Sequence, residues 1–270
     1  MIKAIAVDMD GTFLDSHHSY DKTRFEKIYQ QLKQQKIKFI VASGSQYYRL
    51  RSLFDGFDDI TYVAENGAVI TEHDTVLEYT TFDDTLVHEI IEALDARDDT
   101  EYILCGLKGA YVRSGLSDNF KEILDNYYFN VTEVANFKQL PDDQLVKFAL
   151  EVQADHVSEV VTALQKKFGH TIHAVSSGFN FIDILHPDAN KGIAISALLN
   201  KWDISPHDLL AFGDADNDIQ MLSLTENSYA MPHSSPQVME VAKHRAPSHE
   251  ESGVLTVIEQ FLTPSSQKQR

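Results

Sequence analysis

Apolar and polar positions change their rhythm twice along the chain. Near the N-terminus a largely apolar run, "IKAIAV" (2–7), reads as a buried strand. Phe25, Ile28, Tyr29 and Leu32 then recur at helical spacing, and "KFIVAS" (38–43) is the next apolar run. Tyr47, Leu50 and Leu53 mark a short helix, and "ITYVAE" (60–65) a third strand. Strands alternating with helices predict a parallel sheet. "NGAVITEHDTVLEYTT" (66–81) follows as a hairpin turning near His73 and Asp74.

From about Asp83 to Pro187 the order changes. The pattern predicts a helix (84–97), strands (101–105 and 109–113), a helix (118–128), strands (130–134 and 145–152), a helix (156–168) and strands (171–176 and 179–185). Paired strands beside helices point to an α+β unit with an antiparallel sheet. Alternation then returns, with a helix (190–202), a strand (208–213), a helix (217–224), a short strand (228–231) and a helix over about 254–262. "TPSSQKQR" is expected to fray. The predicted fold is α/β. Residues 1–82 and 188–270 form the parallel-sheet core, and 83–187 form an inserted second domain.

Composition narrows the possibilities. Hydrophobic residues make up 43% of the 270, which favours a packed globule. With 41 acidic against 23 basic residues, the net charge of −18 argues against a general nucleic-acid binder. No stretch approaches the ~20 apolar residues of a membrane helix, and no targeting segment is evident. Cys105 is the single cysteine, so no internal disulfide can form, which suits a cytoplasmic location. Set in "YILCGL", it reads as a buried structural thiol.

Candidate chemistry lies at the ends of predicted strands, where open α/β sheets bind ligands. Asp8 and Asp10 close the first strand, and their two-residue spacing predicts that both carboxylates crowd one spot. Ser43-Gly44 closes the second and offers a hydroxyl and a backbone N–H near a helix start. Asp214 to Asp218 follow "LLAFG", and Lys191 opens a helix, where the macrodipole disfavours a cation. The carboxylates are hard ligands suited to Mg²⁺. His17-His18 reads as solvated, and Glu65-Asn66-Gly67 as turn chemistry.

These residues resemble the haloacid-dehalogenase-like phosphatases: "DMDGT" (8–12), Ser43, Lys191 and "GDADND" (213–218) match the family's four motifs in order and spacing. "ENGA" (65–68), "KG" (191–192) and "GDADNDIQML" (213–222) look like the Cof-type branch with its larger inserted α+β (C2B-type) cap. "VASGSQYYRL" and "SSGFNFIDI" look most like the bacterial sugar phosphatases of that branch. The resemblance implies a Rossmann-like core and a Mg²⁺-dependent phosphatase acting on small phosphorylated metabolites such as sugar phosphates. Phosphorylated cofactors (flavin or pyridoxal phosphates) and phosphoryl transfer between sugars are its alternatives.

It also implies roles. Asp8 is the nucleophile that forms an aspartyl-phosphate, and Asp10 the acid and base. Asp8, Asp10 (through its carbonyl) and Asp214 hold the metal. Met9, Ser43, Gly44, Lys191 and Asn217 bind the phosphoryl group, with Thr12 and Asp218 in support. "SSGFNF" (176–181) is expected to line the cap side of the site. The expected partner is a small phosphomonoester, with no nucleic acid or membrane, and the expected state a monomer or weak homodimer. Two departures stand out: Ser43-Gly44-Ser45 replaces a common Thr-Gly-Arg, removing a possible substrate contact, and Pro232-His233-Ser234 replaces a common Gly-Asn-Ala.

Overall fold

A computed structural model describes residues 1–262 apart from Asp98, Gln139 and Phe179, with Ser177 and Gly178 described by their main chain. The expected frayed tail, and Phe179 of the expected lining segment, lie outside the described residues.

The first third runs β1 (Ala4–Val7), α1 (Lys22–Gln35), β2 (Lys38–Ala42), α2 (Tyr47–Leu53), β3 (Ile60–Ala64), β4 (Val69–Glu72) and β5 (Thr75–Tyr79). The middle runs α3 (Asp84–Asp95), β6 (Glu101–Gly106), β7 (Ala110–Arg113), α4 (Asp118–Tyr127), β8 (Val131–Val134), β9 (Leu145–Glu151), α5 (Val157–Phe168), β10 (His173–Gly178) and β11 (Phe181–Leu185). The last third runs α6 (Lys191–Lys201), β12 (Leu209–Gly213), α7 (Ile219–Leu222), β13 (Ser228–Ala230), α8 (Pro236–Val241), β14 (His244–Arg245) and α9 (Gly253–Leu262).

The first sheet has the order β14-β13-β12-β1-β2-β3-β4-β5 and is parallel from β14 to β3. Its central strands β1, β2 and β12 are almost wholly apolar because helices cover both faces. Phe25, Ile28 and Leu32 of α1 and Val254 and Ile258 of α9 pack on one face. Ile195, Leu198 and Leu199 of α6 and Val238 of α8 pack on the other. The β4–β5 hairpin turns at His73 and Asp74, both at positive φ (50° and 58°), as a tight two-residue turn requires. From β1 the chain builds β2 and β3 on one side, then β12 and β13 on the other. That makes β1/β12 a topological switch point, with Val7 opposite Phe212.

The second sheet has the order β10-β11-β9-β6-β7-β8. It is antiparallel except at β7–β8, where α4 makes a parallel crossover that the expected all-antiparallel sheet lacked. Ile90 and Leu94 of α3 and Val160 and Leu164 of α5 seal one face against Leu104, Phe148, Ile182 and Ile184. Cys105 is fully buried, and burial pushes its thiol well up, as a structural thiol requires.

Three details differ from the expectation. Residues 217–224 are not one helix: a single 3₁₀ turn over Asp216–Asp218 precedes a short α7. Helix α8 and strand β14 were not foreseen, since β14 is two exposed residues and α8 less than two turns, too short to set up a period. No helix among the described residues is long and apolar enough to cross a membrane.

Candidate active site

Strand β1 delivers Asp8 to the switch point, where its N–H donates to the Phe212 carbonyl at 3.0 Å. The chain then folds over the Met9 carbonyl, which accepts from the N–H groups of Thr12, Phe13 and Leu14. Gly11 makes this turn at φ 81°, and a Cβ there would fall 2.7 Å from Asp214 Oδ2. Met9 buries its side chain in the core, which leaves its main chain for any phosphate contact.

Lys191 sits at the centre of the site. It is fully buried, and its Nζ lies 2.6 Å from Asp8 Oδ1 and 2.6 Å from Asp218 Oδ1. Burial works against its charge, but Asp218 and Asp8 overcome this and hold its pKa above that of an ordinary lysine. The start of α6 is set by the Asn190 side chain, which accepts from Ile193 N–H, and by Gly67. A Cβ on Gly67 would fall 2.4 Å from the Asn190 backbone. Gly67 therefore serves a close approach as well as its turn.

Asp218 Oδ2 accepts from the N–H groups of Asp214 and Ala215, so this acid shapes the loop after β12 while pairing Lys191. Asp214 Oδ1 accepts from Thr12 Oγ1 at 2.9 Å, and Asp214 Oδ2 lies 3.3 Å from His233 Nε2. The departure at 232–234 thus places a histidine on a candidate metal ligand.

Ligand oxygens of Asp8, Asp214 and Asp218 lie within 4.8 Å of one another. Burial, then the neighbouring acids, pushes the Asp8 carboxyl well up, despite Lys191. Burial and Asp218 raise Asp214. A hard divalent cation would relieve this strain, and the all-oxygen donor set suits Mg²⁺. Asp218 is the most fully committed of the three, with Oδ1 on the Lys191 ammonium and Oδ2 on two backbone N–H groups, so Asp8 and Asp214 are the better candidates to hold it.

The expectation that Asp8 and Asp10 crowd one spot is corrected. Strand β1 ends at Val7, and the half-exposed Asp10 carboxylate is not part of the cluster that Asp8, Asp214 and Asp218 form. Arg49 grips it with two hydrogen bonds of 3.0 Å, and His18 Nδ1 lies 3.2 Å from Oδ1. Burial pulls the Asp10 pKa up, but Arg49 and then His18 bring it below the ordinary carboxylate value. Any metal contact from Asp10 is therefore a main-chain one. Arg49 also donates to Ser45 Oγ and lies under the Tyr127 ring of α4, 5.2 Å from its centroid. A guanidinium thus lies beside Ser45, supplied from one helical turn later. The Ser45-to-Arg49 spacing was the available signal, masked by the apolar reading of α2.

Ser43 is buried, and its Oγ accepts from Ser45 N–H. Asn217 donates through Nδ2 to Asn66 Oδ1 at 2.9 Å. Asn66 has φ 56°, as a turn residue should, yet it is buried and donates to Asp183 of the second sheet. Turn chemistry alone was too narrow a reading of it. His18 is exposed as expected, but it is engaged rather than merely solvated.

A model of haloacid dehalogenase-like hydrolases matches residues 5–258. The 5-amino-6-(5-phospho-D-ribitylamino)uracil phosphatase YbjI of Escherichia coli is 38% identical over 263 residues, covering 97% of this chain and 96% of that protein. An HMP-PP phosphatase of Cronobacter sakazakii is 27% identical over 253 residues, covering 90% and 89%. The solved structure of SMU.1108c from Streptococcus mutans superposes with a TM-score of 0.90 at 36% identity, covering 97% and 99%.

Proposed function

Since the chain belongs to the haloacid dehalogenase-like hydrolases and is a phosphatase of that type, we propose that it is a Mg²⁺-dependent phosphomonoesterase for small phosphorylated sugars or sugar alcohols. The observation that carries the reading is the buried Asp8–Lys191–Asp218 ion triad beside Asp214. The substrate class rests on the sequence resemblance and on YbjI, whose name specifies a phosphate on a ribityl chain. Residues 1–82 and 188–270 serve as catalytic core, and 83–187 as the cap that closes over the leaving group.

Asp8 attacks phosphorus through Oδ2, since Oδ1 is held by Lys191, and forms an aspartyl-phosphate. Asp10 must first take up a proton, against the pull of Arg49 and His18, and then gives it to the departing alkoxide oxygen. As a carboxylate, it then takes a proton from the water that opens the phosphoenzyme. Lys191 and the Ser43–Gly44 loop hold the transferring oxygens, with Asn217 from the facing loop. Mg²⁺ on Asp8, Asp214 and the Asp10 carbonyl would supply the positive charge that lets an anionic nucleophile approach an anionic phosphate. Thr12 and His233 orient Asp214. The reaction is assigned to the cytoplasm and to a chain working without nucleic acid or membrane.

Thermal denaturation tests the metal assignment without turnover. Mg²⁺ at about 100 times its Kd should add about 2.7 kcal/mol of stability, and Asp214→Asn should abolish the shift. An equal shift in the variant would remove Asp214 from the metal site.

Arg49→Met should lower kcat about tenfold or more, since a side chain that orients a reacting group from behind typically contributes about 10- to 100-fold. The pKa of Asp10 is held down by Arg49, so its loss should raise it. Because the first step needs protonated Asp10, the alkaline limb of kcat should move to higher pH even as the unheld side chain lowers the plateau. A limb that stays in place would show that Arg49 does not act through Asp10.

A further inference from the structure

A second buried charge cluster lies where the cap sheet faces the phosphate loop. Lys147 of β9 is 2% exposed. With Asp183 of β11, it lies on the face of that sheet turned away from α3 and α5, because residues alternate along a strand and Phe148, Ile182 and Ile184 face those helices. Lys147 Nζ lies 2.6 Å from Glu65 Oε2, 3.9 Å from Asp183 Oδ2, and donates to the Gly44 carbonyl at 2.8 Å. Burial opposes the ammonium charge, but Asp183 and Glu65 keep its pKa well above the ordinary value. Buried ion pairs seldom stabilise a fold more than apolar packing would, so a charged lysine here invites a role beyond packing.

That role is visible in the loop below it. Three successive carbonyls are held. Ser43 accepts from Asn66 N–H at 3.0 Å, Gly44 from Lys147 at 2.8 Å, and Ser45 from Glu65 N–H at 3.1 Å. The core supplies the first and third donors, and the cap supplies the second. In a trans peptide the C=O and the following N–H point in opposite directions. Fixing the Gly44 carbonyl therefore fixes the Ser45 N–H, which donates to Ser43 Oγ at 3.1 Å. A hydroxyl that accepts there keeps its own proton for donation elsewhere.

We propose that Lys147 is a positioning residue carried by the cap: by holding the Gly44 carbonyl it turns the Ser45 N–H onto Ser43 Oγ and aims the Ser43 hydroxyl at bound phosphate, so that the phosphate site is complete only when the cap is closed. Asn66 makes the same junction on the other side, bonded to Asp183 of the cap and to Asn217 of the facing loop. The proposal rests on the reading of Ser43 and Gly44 as phosphate ligands.

The test is a double-mutant cycle on the whole chain, read by calorimetric titration with inorganic phosphate in Mg²⁺. Lys147→Met and Ser43→Ala should each weaken phosphate binding about tenfold, and the double variant should be little worse than either alone. Should Lys147→Met not fold, Lys147→Met/Glu65→Gln removes the nearer of the two orphaned acids, leaving Asp183 its Asn66 donor, and takes its place in the cycle. Wild-type phosphate affinity in the folded lysine variant, or fully additive losses, would overturn the proposal, as would a wild type that does not bind phosphate. A purely structural lysine would lower Tm and leave the phosphate Kd of the folded protein unchanged. A wild type that binds phosphate but hydrolyses no phosphomonoester would defeat the proposed function, while the cycle still decides on Lys147.

Discussion

Asp8→Asn should reduce Mg²⁺-dependent phosphate release from a generic phosphomonoester by about 10⁴-fold or more, as loss of a nucleophile does elsewhere. Asparagine keeps the shape of the side chain but cannot form the acyl phosphate. The same substitution should not weaken the metal-free fold. Burial and the neighbouring Asp218 and Asp214 raise the Asp8 carboxyl well above its ordinary value, with Lys191 opposing. A carboxyl whose folded pKa is raised binds its proton more tightly folded than unfolded. Its ionisation therefore costs stability as pH climbs from the unfolded value through the folded one. The substituted amide stays neutral throughout, so the variant's metal-free Tm near neutral pH should match or exceed that of the parent. Near-normal turnover would sink the nucleophile assignment. A much lower metal-free Tm would mean that the Lys191–Asp8 pair is worth more than the burial of the carboxylate.

Lys191→Met should damage both activity and fold. Nζ is the counter-charge common to Asp8 and Asp218, at 2.6 Å from each. Removing it leaves buried acids facing one another with no cation. Breaking such a buried pair typically costs about 3–5 kcal/mol, roughly 10 °C in Tm for a chain of this size. Turnover of the folded fraction should fall by about 10²–10³, as when a donor to a developing oxyanion is lost. Added Mg²⁺ should recover part of the Tm but little of the rate, since it can offset the acids without supplying the donor. Denaturation curves with and without Mg²⁺, beside kcat, separate the two effects. A stable, fully active variant would put Lys191 outside the site.

Much of this was legible because local chemistry and sheet topology agree. Strands 4–7, 39–42, 60–64 and 209–213 are buried on both faces, so the runs 2–7, 38–43, 60–65 and 208–213 carry an unmistakable strand signal. The acids and the lysine at their ends need no alignment to attract notice. What escaped were partnerships fixed by tertiary folding. Arg49 lies within an apolar helical pattern, and its partner Asp10 is 39 residues away. Lys147 and Asp183 occupy alternating positions of ordinary strands in the second sheet, and only the packing of that sheet onto the 43–45 and 65–66 loops brings them against those loops. The expectation of Asp8 and Asp10 on one spot assumed strand geometry beyond Val7, where the strand ends.

Phosphate release by this chain from a panel of phosphomonoesters, with Mg²⁺ and then with a chelator, tests the central claim most directly. The expected result is turnover that the chelator abolishes, with the highest kcat/KM on phosphorylated sugars or sugar alcohols. No release from any member of the panel, or release indifferent to the chelator, would contradict the Mg²⁺-phosphatase reading. Flavin or pyridoxal phosphates outrunning every sugar phosphate would contradict the substrate class.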